Sequence, residues 1–416
     1  MKYYKNVEVA EMYKVSEKTV TNWVEYAIEG KVNLELFTTS KRKYIINSPS
    51  NHSLLKTLVE KGKKYKSKRF LKKVTPLPEF YKIFNEKQVI DIITNLELYR
   101  EIPLKYAYFD GGVQEWVKTI EYLMYHNTPN TTSNTVESLQ ANYSYILALI
   151  GDKKKVNIVD IGPGHPVVIK DFIQKLIENN KINKYIALDY SQGIIKYTQE
   201  RFSDWYPELS FESHILDINY EPFQDVLFKN SMFASNSTSC FNLLLYFGST
   251  PENQRIYSQS FQVIKDSMGK DDLFVLGQRL DTPSARYKSF SYVDSKISKS
   301  EELDRLKIVV DLLGIHEDYY DIDKIFDEKQ RSRLLSIVLN TDIQISFSAK
   351  GVFKPISIPK KDKLLLFRHH HHTFAEVIDT LDKTGFDVLH ASRSIDQEHI
   401  FVISRVKNPD SRYFVG

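Results

Sequence analysis

Residues 156–166 combine a strongly apolar segment with a turn that contains two glycines. They read Val-Asn-Ile-Val-Asp-Ile-Gly-Pro-Gly-His-Pro, so Asp160, Gly162 and Gly164 stand where a predicted strand ends. At a Gly-x-Gly turn the missing side chains let a nucleotide-like ligand lie against bare backbone. Pro166 suits the first turn of a following helix, because its missing N–H would have no partner there. The segment therefore predicts a cofactor pocket.

Two further acids follow at the expected ends of the next strands. Residues 184–189 read Lys-Tyr-Ile-Ala-Leu-Asp, which predicts a parallel strand ending at Asp189, 25 residues beyond Gly164 because 189 − 164 = 25. A carboxylate there can bind the two ribose hydroxyls of an adenosine. Asp217 ends the following strand, in the right place to meet an adenine amino group. The alternative for Asp160, Asp189 and Asp217 is ordinary solvation of strand ends.

The residues after the glycine turn favour one adenosine cofactor over another. A dinucleotide-binding loop needs a third small residue for close helix packing, and this chain has His165 and Pro166 instead. With no pyrophosphate to hold, such a loop fits S-adenosylmethionine, whose amino acid end takes the place of the phosphates. The sequence therefore predicts S-adenosylmethionine as the cofactor.

The composition is that of a globular protein. Of 416 residues, 42% are hydrophobic and 26% are charged, and no stretch approaches the roughly 18 consecutive apolar residues of a membrane helix. The first residues lack the apolar centre of a secretory signal, and Cys240 is the single cysteine. We therefore expect a cytoplasmic protein of two or three domains with no membrane partner.

Charge divides the chain into two unlike parts. Residues 1–73 hold 17 Lys and Arg against 7 Asp and Glu, a net charge of 17 − 7 = +10, so residues 74–416 carry 4 − 10 = −6. A separation of this size indicates a basic module that meets a polyanion, joined to a mildly acidic body. The alternative is that the basic residues solvate a linker and that the module docks on a protein.

The basic part contains a pattern of two short helices. Val9 and Ala10 lie on one face of the first helix, Ser16 caps the second, and Val20 and Trp23 of the second face inward. The pattern resembles the small winged helix-turn-helix modules of regulators and excisionases, which place the second helix in the major groove of DNA. The resemblance implies double-stranded DNA as a partner and a homodimer as the working form. The expected DNA-binding residues are Lys18, Thr21, Asn22, Lys41, Arg42 and Lys43, the last three at the tip of a predicted hairpin.

Strand and helix patterns alternate from residue 151 onward, which is typical of a doubly wound α/β sheet. The pattern also predicts one helix over 252–268 and one strand around 337–348. We expect six regions: a winged helix-turn-helix at 1–60, a basic linker at 61–76, a helical substrate-side region at 77–150, a cofactor-binding Rossmann-like core at 151–280, a capping subdomain at 281–385 and terminal sheet strands at 386–416.

Several segments between residues 77 and 406 together resemble one enzyme family. The most specific reads Phe-Gly-Ser-Thr-Pro-Glu-Asn at 247–253. The segments resemble the histidine-specific, S-adenosylmethionine-dependent methyltransferases, the family of the ergothioneine-pathway enzyme that trimethylates the α-amine of histidine. The resemblance implies a class I methyltransferase fold, in which a Rossmann-like sheet follows a helical part and joins a capping subdomain. The segments that carry it are 104–112, 160–164, 188–191, 246–253, 313–315 and 319–326.

The resemblance also implies roles for individual residues. Asn253 matches the family's asparagine that reaches the amino acid head group of the acceptor, and Tyr246 is expected to border the acceptor beside it. These two are the expected catalytic residues, because a methyl transfer needs chiefly an acceptor lone pair aimed at the methyl group. The cofactor site is expected to contain Asp160, Gly162, Gly164, Asp189, Tyr190, Ser191 and Asp217.

Two segments depart from the family pattern where the family holds its substrate. The family's Tyr-Tyr-x-Thr-Arg motif corresponds to residues 126–132, which lack the tyrosine expected to hold the amine. The family's Glu-x-Ser pair corresponds to Phe367 and His369, and a phenyl ring cannot make the hydrogen bond of the lost carboxylate. Phe367 and His369 are therefore the expected substrate-pocket residues, and free histidine is not the expected acceptor.

Residues 369–372 are four consecutive histidines. Imidazole is a good zinc or nickel ligand, but in an extended segment only alternate rings can share an ion. We predict no native metal site and expect one or two of these histidines in the acceptor cavity.

DNA itself is not the expected acceptor. Base amino methyltransferases need an Asp/Asn-Pro-Pro-aromatic loop after the fourth strand, which this chain lacks, and Cys240 follows Ser239 rather than the proline of cytosine C5 enzymes. The sequence favours an S-adenosylmethionine-dependent N-methyltransferase that acts on an amino acid-like or other small-molecule acceptor and is coupled to a DNA-binding module. The alternative is an S-adenosylmethionine-binding transcriptional regulator that senses ligand without turnover.

Overall fold

The chain forms two compact units, one of residues 1–73 with 341–344 and one of residues 74–340 with 345–416. The computed structural model describes residues 3–39, 43–68, 71–109, 111–125, 131–152, 154–232, 240–287, 301–348 and 355–407. Within these ranges, no helix is both long enough and apolar enough to cross a membrane.

The smaller unit contains three helices, and the second begins at an N-cap. The Ser16 side chain accepts the backbone N–H of Thr19 at 3.2 Å. Three short strands pair antiparallel in the order Tyr3–Tyr4, Lys43–Ile46 and Leu36–Thr38. The helices are Asn6–Met12, Glu17–Ile28 and Pro49–Lys68, and the buried core is formed by Val9, Ala10, Val20, Trp23, Val24, Leu34, Ile45 and Leu55. The third helix continues through residues 61–68, which the sequence analysis assigns to a linker.

The larger unit is organised around a seven-stranded, mostly parallel sheet, so its fold is α/β and Rossmann-like. The order across the sheet is β6-β7-β5-β4-β1-β2-β3, and β7 is antiparallel to both of its neighbours. The strands are β1 (Lys155–Ile161), β2 (Ile182–Asp189), β3 (Phe211–Ile215), β4 (Cys240–Tyr246), β5 (Leu273–Arg279), β6 (Phe386–Arg393) and β7 (His399–Val406).

The sheet is buried on both faces, as parallel sheets are. Successive side chains of a strand point to opposite faces, so Val156 and Ile158 of β1 pack in one core cluster while Val159 and Ile161 pack in the other. With both faces covered by apolar packing, the edge at the carboxyl ends of the strands is where polar groups can meet a ligand.

Helices cover the sheet and precede it. Among the described residues, the α-helices of the larger unit include Pro78–Ile83, Glu86–Tyr99, Gly112–Tyr125, Thr131–Ile150, Lys170–Glu178, Gln192–Trp205, Gln224–Met232, Tyr257–Ser267, Glu301–Leu312 and Phe374–Thr384, and the 3₁₀ helices include Leu104–Tyr108, Pro166–Ile169, Pro251–Asn253 and Glu317–Tyr319. A second antiparallel sheet has the strand order Tyr320–Asp327, Ser332–Leu339 and Lys363–His370. The remaining strands in the part of the chain that the structure describes are Leu71–Val74, Asp342–Ile345 and Ile356–Ile358.

Two predicted elements are divided in the structure. The strand predicted around 337–348 is two strands, Ser332–Leu339 and Asp342–Ile345, because the chain turns between them. The helix predicted over 252–268 begins as the 3₁₀ turn Pro251–Asn253. Its continuation is interrupted because the backbone of Gln254 is extended, and the α-helix starts at Tyr257.

Candidate active site

A cavity of about 390 Å³ opens along the carboxyl edge of the parallel strands. The segments that follow β1, β2, β3 and β4 all contribute to its lining, and so does the helical part before the sheet. The predicted site residues found in the lining are Asp160, Gly162, Gly164, Asp189, Tyr190, Asp217 and Asn253.

The turn after β1 has the backbone that its glycines allow. Gly162 and Gly164 have φ values of +66° and +52°, in the left-handed region that side chains rarely adopt. The Gly162 N–H donates to the Leu188 carbonyl of β2 at 2.8 Å, which holds the turn against the next strand. A Cβ atom on Gly162 would lie 3.1 Å from Oγ1 of Thr250, so a side chain there would enter the space between the turn and the segment after β4.

Asp160 is buried near the end of β1, and Asp189 is partly buried at the end of β2. Asp189 accepts the backbone N–H of Ser191 at 2.7 Å, and Asp160 accepts the Tyr185 hydroxyl at 2.7 Å. Burial raises the pKa of Asp189 to about 7. Burial, with the nearby charge of Asp189, also raises the pKa of Asp160 to about 7. Both carboxyls therefore exchange protons near neutrality.

The two residues after Asp189 have different positions. The Tyr190 ring lines the cavity and lies edge-on to Tyr106, with ring centroids 5.8 Å apart. The Ser191 side chain instead caps helix Gln192–Trp205 by accepting the Ile194 N–H at 3.3 Å, and it is buried outside the lining. Ser191 thus holds the loop that carries Asp189 and Tyr190.

Asp217 lies in the loop after β3, where its carboxylate is shared between two kinds of partner. Oδ1 accepts the backbone N–H of Asn219 at 3.0 Å, and Oδ2 is 2.8 Å from Nζ of Lys105. Lys105 also contacts Asp91 at 2.9 Å. Burial alone would lower the pKa of Lys105, but the two aspartates outweigh it and raise the pKa, so Lys105 is charged. Sequence reasoning assigned no role to Lys105, although it lies in a segment shared with the family.

Asn253 lies in the 3₁₀ turn after β4 and lines the cavity. Its Oδ1 atom is buried and has no hydrogen-bond partner among the described residues. The neighbouring Glu252 is fully buried and accepts the Arg279 backbone N–H at 2.7 Å. Burial raises the pKa of Glu252 to about 8, against the opposing charges of Arg279 and Arg333. The turn that presents Asn253 is thereby fastened to the end of β5.

Besides Ser191, three predicted site residues do not line this cavity. Tyr246 is the last residue of β4 and points into the core, where its hydroxyl contacts Ser260 at 3.2 Å. Phe367 and His369 share one face of strand Lys363–His370, and the His369 Nε2 atom is 3.6 Å from Glu252. Strand alternation explains both results, because it fixes the face on which each side chain lies.

The rings of the four histidines form two alternate pairs, His369 with His371 and His370 with His372, with ring centroids 5.1 and 6.0 Å apart. His370 contacts the Ser332 hydroxyl at 2.5 Å, and the His372 ring stacks on Tyr257 with centroids 3.7 Å apart. Burial lowers the pKa of His369 well below its usual range and that of His371 to about 3, so these rings are neutral. In the part of the chain that the structure describes, no three His, Cys, Asp or Glu side chains form a group that could hold a metal ion.

The structure describes four of the six predicted DNA-binding residues. Lys18 and Asn22 are exposed on helix Glu17–Ile28, and Lys43 is exposed where its strand begins. Thr21 is half-buried, and its hydroxyl accepts from the Asn6 side chain at 3.2 Å. Lys41 and Arg42 lie outside the described residues, as does the segment 126–130 that replaces the family's tyrosine motif.

The sheet order and the cavity at its carboxyl edge define an α/β protein of the Rossmann-like methyltransferase class. The sequence model of the family described as "Histidine-specific methyltransferase, SAM-dependent" matches residues 85–406. This match covers more than half of the chain, and the chain therefore belongs to that family, whose cofactor is S-adenosylmethionine. No protein with a curated description matches the chain.

Solved methyltransferase structures are similar in fold. An S-adenosylmethionine-dependent methyltransferase from Clostridium acetobutylicum ATCC 824 is 10% identical, with 71% of this chain and 99% of that chain covered and a TM-score of 0.37. The glycopeptide N-methyltransferase MtfA, solved with S-adenosylmethionine, is 9% identical, with 66% and 94% covered and a TM-score of 0.34. A Burkholderia thailandensis 1,6-didemethyltoxoflavin-N1-methyltransferase is 9% identical, with 72% and 89% covered and a TM-score of 0.35. Likeness at this level carries no information about the acceptor.

Replacing Gly162 by alanine is expected to weaken binding of S-adenosylhomocysteine by about tenfold or more, because the backbone is strained and the new Cβ meets Thr250. Gly151→Ala is the matched control, since Gly151 also has a positive φ, +72°, but its Cβ would have no neighbour within 4 Å. Calorimetric titration of both folded variants measures the difference. Equal affinities in the two variants would contradict this role for the turn.

The raised pKa values of Asp160 and Asp189 predict that the stability of the folded protein depends on pH. The pKa of Asp189 rises from its ordinary 3.8 to about 7, so between these pH values the folded protein holds a proton that the unfolded chain has released. The free energy of unfolding therefore falls as the pH rises from about 4 to 7. Asp189→Asn removes one titrating group and is expected to make the fall shallower in urea denaturation curves.

The control for this measurement is Asp204→Asn, which changes an exposed aspartate. If the parent, Asp204→Asn and Asp189→Asn proteins all lose stability equally between pH 4.5 and 7, Asp189 does not carry a raised pKa.

Proposed function

We propose that the chain transfers a methyl group to the nitrogen of a small, amino acid-like acceptor other than free histidine. The observation that carries the proposal is the common cavity of Gly162, Asp189, Asp217 and Asn253. When bound, S-adenosylmethionine supplies the electrophilic methyl group, which an acceptor lone pair takes as the carbon–sulfur bond breaks. The protein has to hold the two molecules in line and exclude water from between them.

The residues of the cavity fit the cofactor. The bare backbone at Gly162 and Gly164 leaves room for its amino acid end, because a Cβ atom at either position would approach Thr250 or Trp116 to within 3.4 Å. Asp189 would accept hydrogen bonds from the ribose hydroxyls. Asp217 would face the adenine amino group, and Lys105 would hold that carboxylate in place from its other side. The acids also suit the positive charge of a sulfonium.

Asn253 is the residue that would meet the acceptor. Its amide lines the cavity, and its buried Oδ1 atom has no protein partner among the described residues, so a hydrogen-bond donor of the acceptor would satisfy it. The position of Phe367 and His369 away from the cavity supports an acceptor other than free histidine, because neither side chain is available there to grip an imidazole.

The second part of the proposal is that the smaller unit binds double-stranded DNA as a dimer. Lys18 and Asn22 are exposed on the second of two helices, and Lys43 is exposed on the hairpin strand that follows. A lysine suits phosphates and an asparagine suits an adenine edge. Lys41 and Arg42, which lie outside the described residues, would add two positive charges to the same unit. Thr21 contributes less, because its hydroxyl is already bonded within the unit.

A sensor without turnover is the second candidate function. The observation that favours it is the loss of the family's substrate-binding side chains. An acceptor site that no longer binds substrate would leave cofactor binding intact. In that case the larger unit would bind S-adenosylmethionine and regulate DNA binding by the smaller one.

Radiolabelled methyl transfer to a metabolite extract, compared with DNA and protein fractions, tests the enzyme. We expect label in the small-molecule fraction and a loss of about tenfold or more in Asn253→Ala, because the acceptor loses a hydrogen bond that orients it. Asn340→Ala, changed at an exposed asparagine outside the cavity, is the control. Calorimetric binding of S-adenosylmethionine without label in any fraction would favour the sensor, and label in DNA or protein would overturn the proposal.

For DNA binding, Lys18→Ala is expected to weaken binding to a mixed-sequence 30-base-pair duplex and to lower the slope of log affinity against log salt by about 1, since one phosphate contact is lost. Fluorescence anisotropy between 50 and 200 mM NaCl measures the slope. Lys383→Ala, changed at an exposed lysine of the larger unit, is the control. A slope unchanged in Lys18→Ala would exclude this lysine from the interface.

A further inference from the structure

A chain of hydrogen-bonded charged groups follows one wall of the cavity. At one end, which we name the acidic end, Lys105 lies between Asp91 and Asp217. At the other end, the basic end, Arg255 and Arg368 both contact Glu101, at 3.1 and 2.8 Å. Asn95 joins the two ends, because its amide donates to Asp91 at 3.0 Å and accepts from Arg255.

The two ends carry opposite net charge. The acidic end has one cation and two anions, 1 − 2 = −1, and the basic end has two cations and one anion, 2 − 1 = +1. Guanidinium groups stay charged at any physiological pH. The Glu101 and Arg368 side chains are each only 13% exposed, so solvent screens the excess positive charge poorly. In these contacts of the described residues, the basic end therefore carries one positive charge more than Glu101 balances.

Arg255 is the member of the basic end that reaches the cavity as a cation. Its guanidinium is fixed by Glu101 and Asn95, and it lies over the Tyr99 ring with 3.7 Å between the guanidinium carbon and the ring centroid. A planar group held in this way loses little freedom when it binds a planar anion. Arg255 also follows Asn253 by two residues, so both side chains belong to the same wall.

We infer that Arg255 is the residue that binds the carboxylate of the acceptor and so selects acceptors that carry this group. The inference deepens the proposed methyl transfer and rests on it, because a bound acid is the acceptor only if the chain transfers a methyl group to it. Asn253 would meet a hydrogen-bond donor of the same molecule, while Arg255 neutralises its acid group. Neither the turn sequence nor the family's substrate motifs point to Arg255.

The inference is tested by small-molecule capture, which does not depend on turnover. The purified full chain, with S-adenosylhomocysteine present, is incubated with a metabolite extract, washed, and its retained compounds are released for mass spectrometry. A second portion of extract is first esterified with acidic methanol, which masks carboxylates, and a third is treated with phosphatase. We expect a retained carboxylic acid that esterification removes and phosphatase treatment leaves.

Arg255→Gln is expected to reduce that retention by roughly ten- to a hundredfold, as the loss of a charge-assisted hydrogen bond predicts. Arg255→Lys, which keeps the charge without the planar fork, is expected to restore part of it. Glu101 keeps its Arg368 partner in both variants, so neither leaves a buried carboxylate unpaired. Arg405→Gln, at an exposed arginine paired with one aspartate, is the control.

Calorimetry with S-adenosylhomocysteine confirms that each variant is folded and keeps its cofactor site. Retained compounds without a carboxylate, equal retention by Arg255→Gln and the parent, or no retained compound would each overturn the inference. Capture of an acid that the chain does not methylate would uphold the acid site and overturn the methyl transfer, so the two failures are distinguishable.

Discussion

Compensation of buried charge at the carboxyl edge of the sheet is the constraint on which the larger unit depends. An ion taken out of water costs several kcal/mol unless a partner of opposite charge meets it in good geometry. Asp217 meets that requirement through Lys105 of a 3₁₀ helix before the sheet, and Glu101 through Arg255 and Arg368. These residues come from segments far apart in the sequence. The helices before the sheet and the second antiparallel sheet are therefore fixed to the core by charge as well as by apolar packing.

The carboxyl edge of the sheet is also the place where backbone groups can contact a ligand. Both faces of the strands are filled by apolar side chains, so a ligand meets the sheet where the strands end. The turn after β1 is bonded to β2 through Gly162 and Leu188, and the next loop is capped by Ser191. Hydrogen bonds within the protein thus hold both loops, which gives the cavity a defined shape before any ligand enters.

Local sequence patterns predicted the parts of the site that depend on local physics. A run of apolar residues followed by Gly-x-Gly predicts a strand and a tight turn. The structure has the strand at Lys155–Ile161 and the turn after it, where Gly162 and Gly164 have positive φ. The orientation of Tyr246 could not be predicted, because a side chain at a strand end meets the core or the cavity according to which helix packs on it. Lys105 and Arg255 gave no signal, since their partners Asp217 and Glu101 lie 112 and 154 positions away.

The histidine run at 369–372 supports the site indirectly, because His369 contacts Glu252, the residue before Asn253. Glu252 precedes Asn253 and is fully buried, which would be costly for a carboxylate, but burial raises its pKa to about 8. His369, 3.6 Å away, has its pKa lowered well below the usual range. At neutral pH both groups are uncharged, and a neutral pair is cheaper to bury than an ion pair. The Asn253 turn can then pack on the second sheet without adding a charge beside the acceptor.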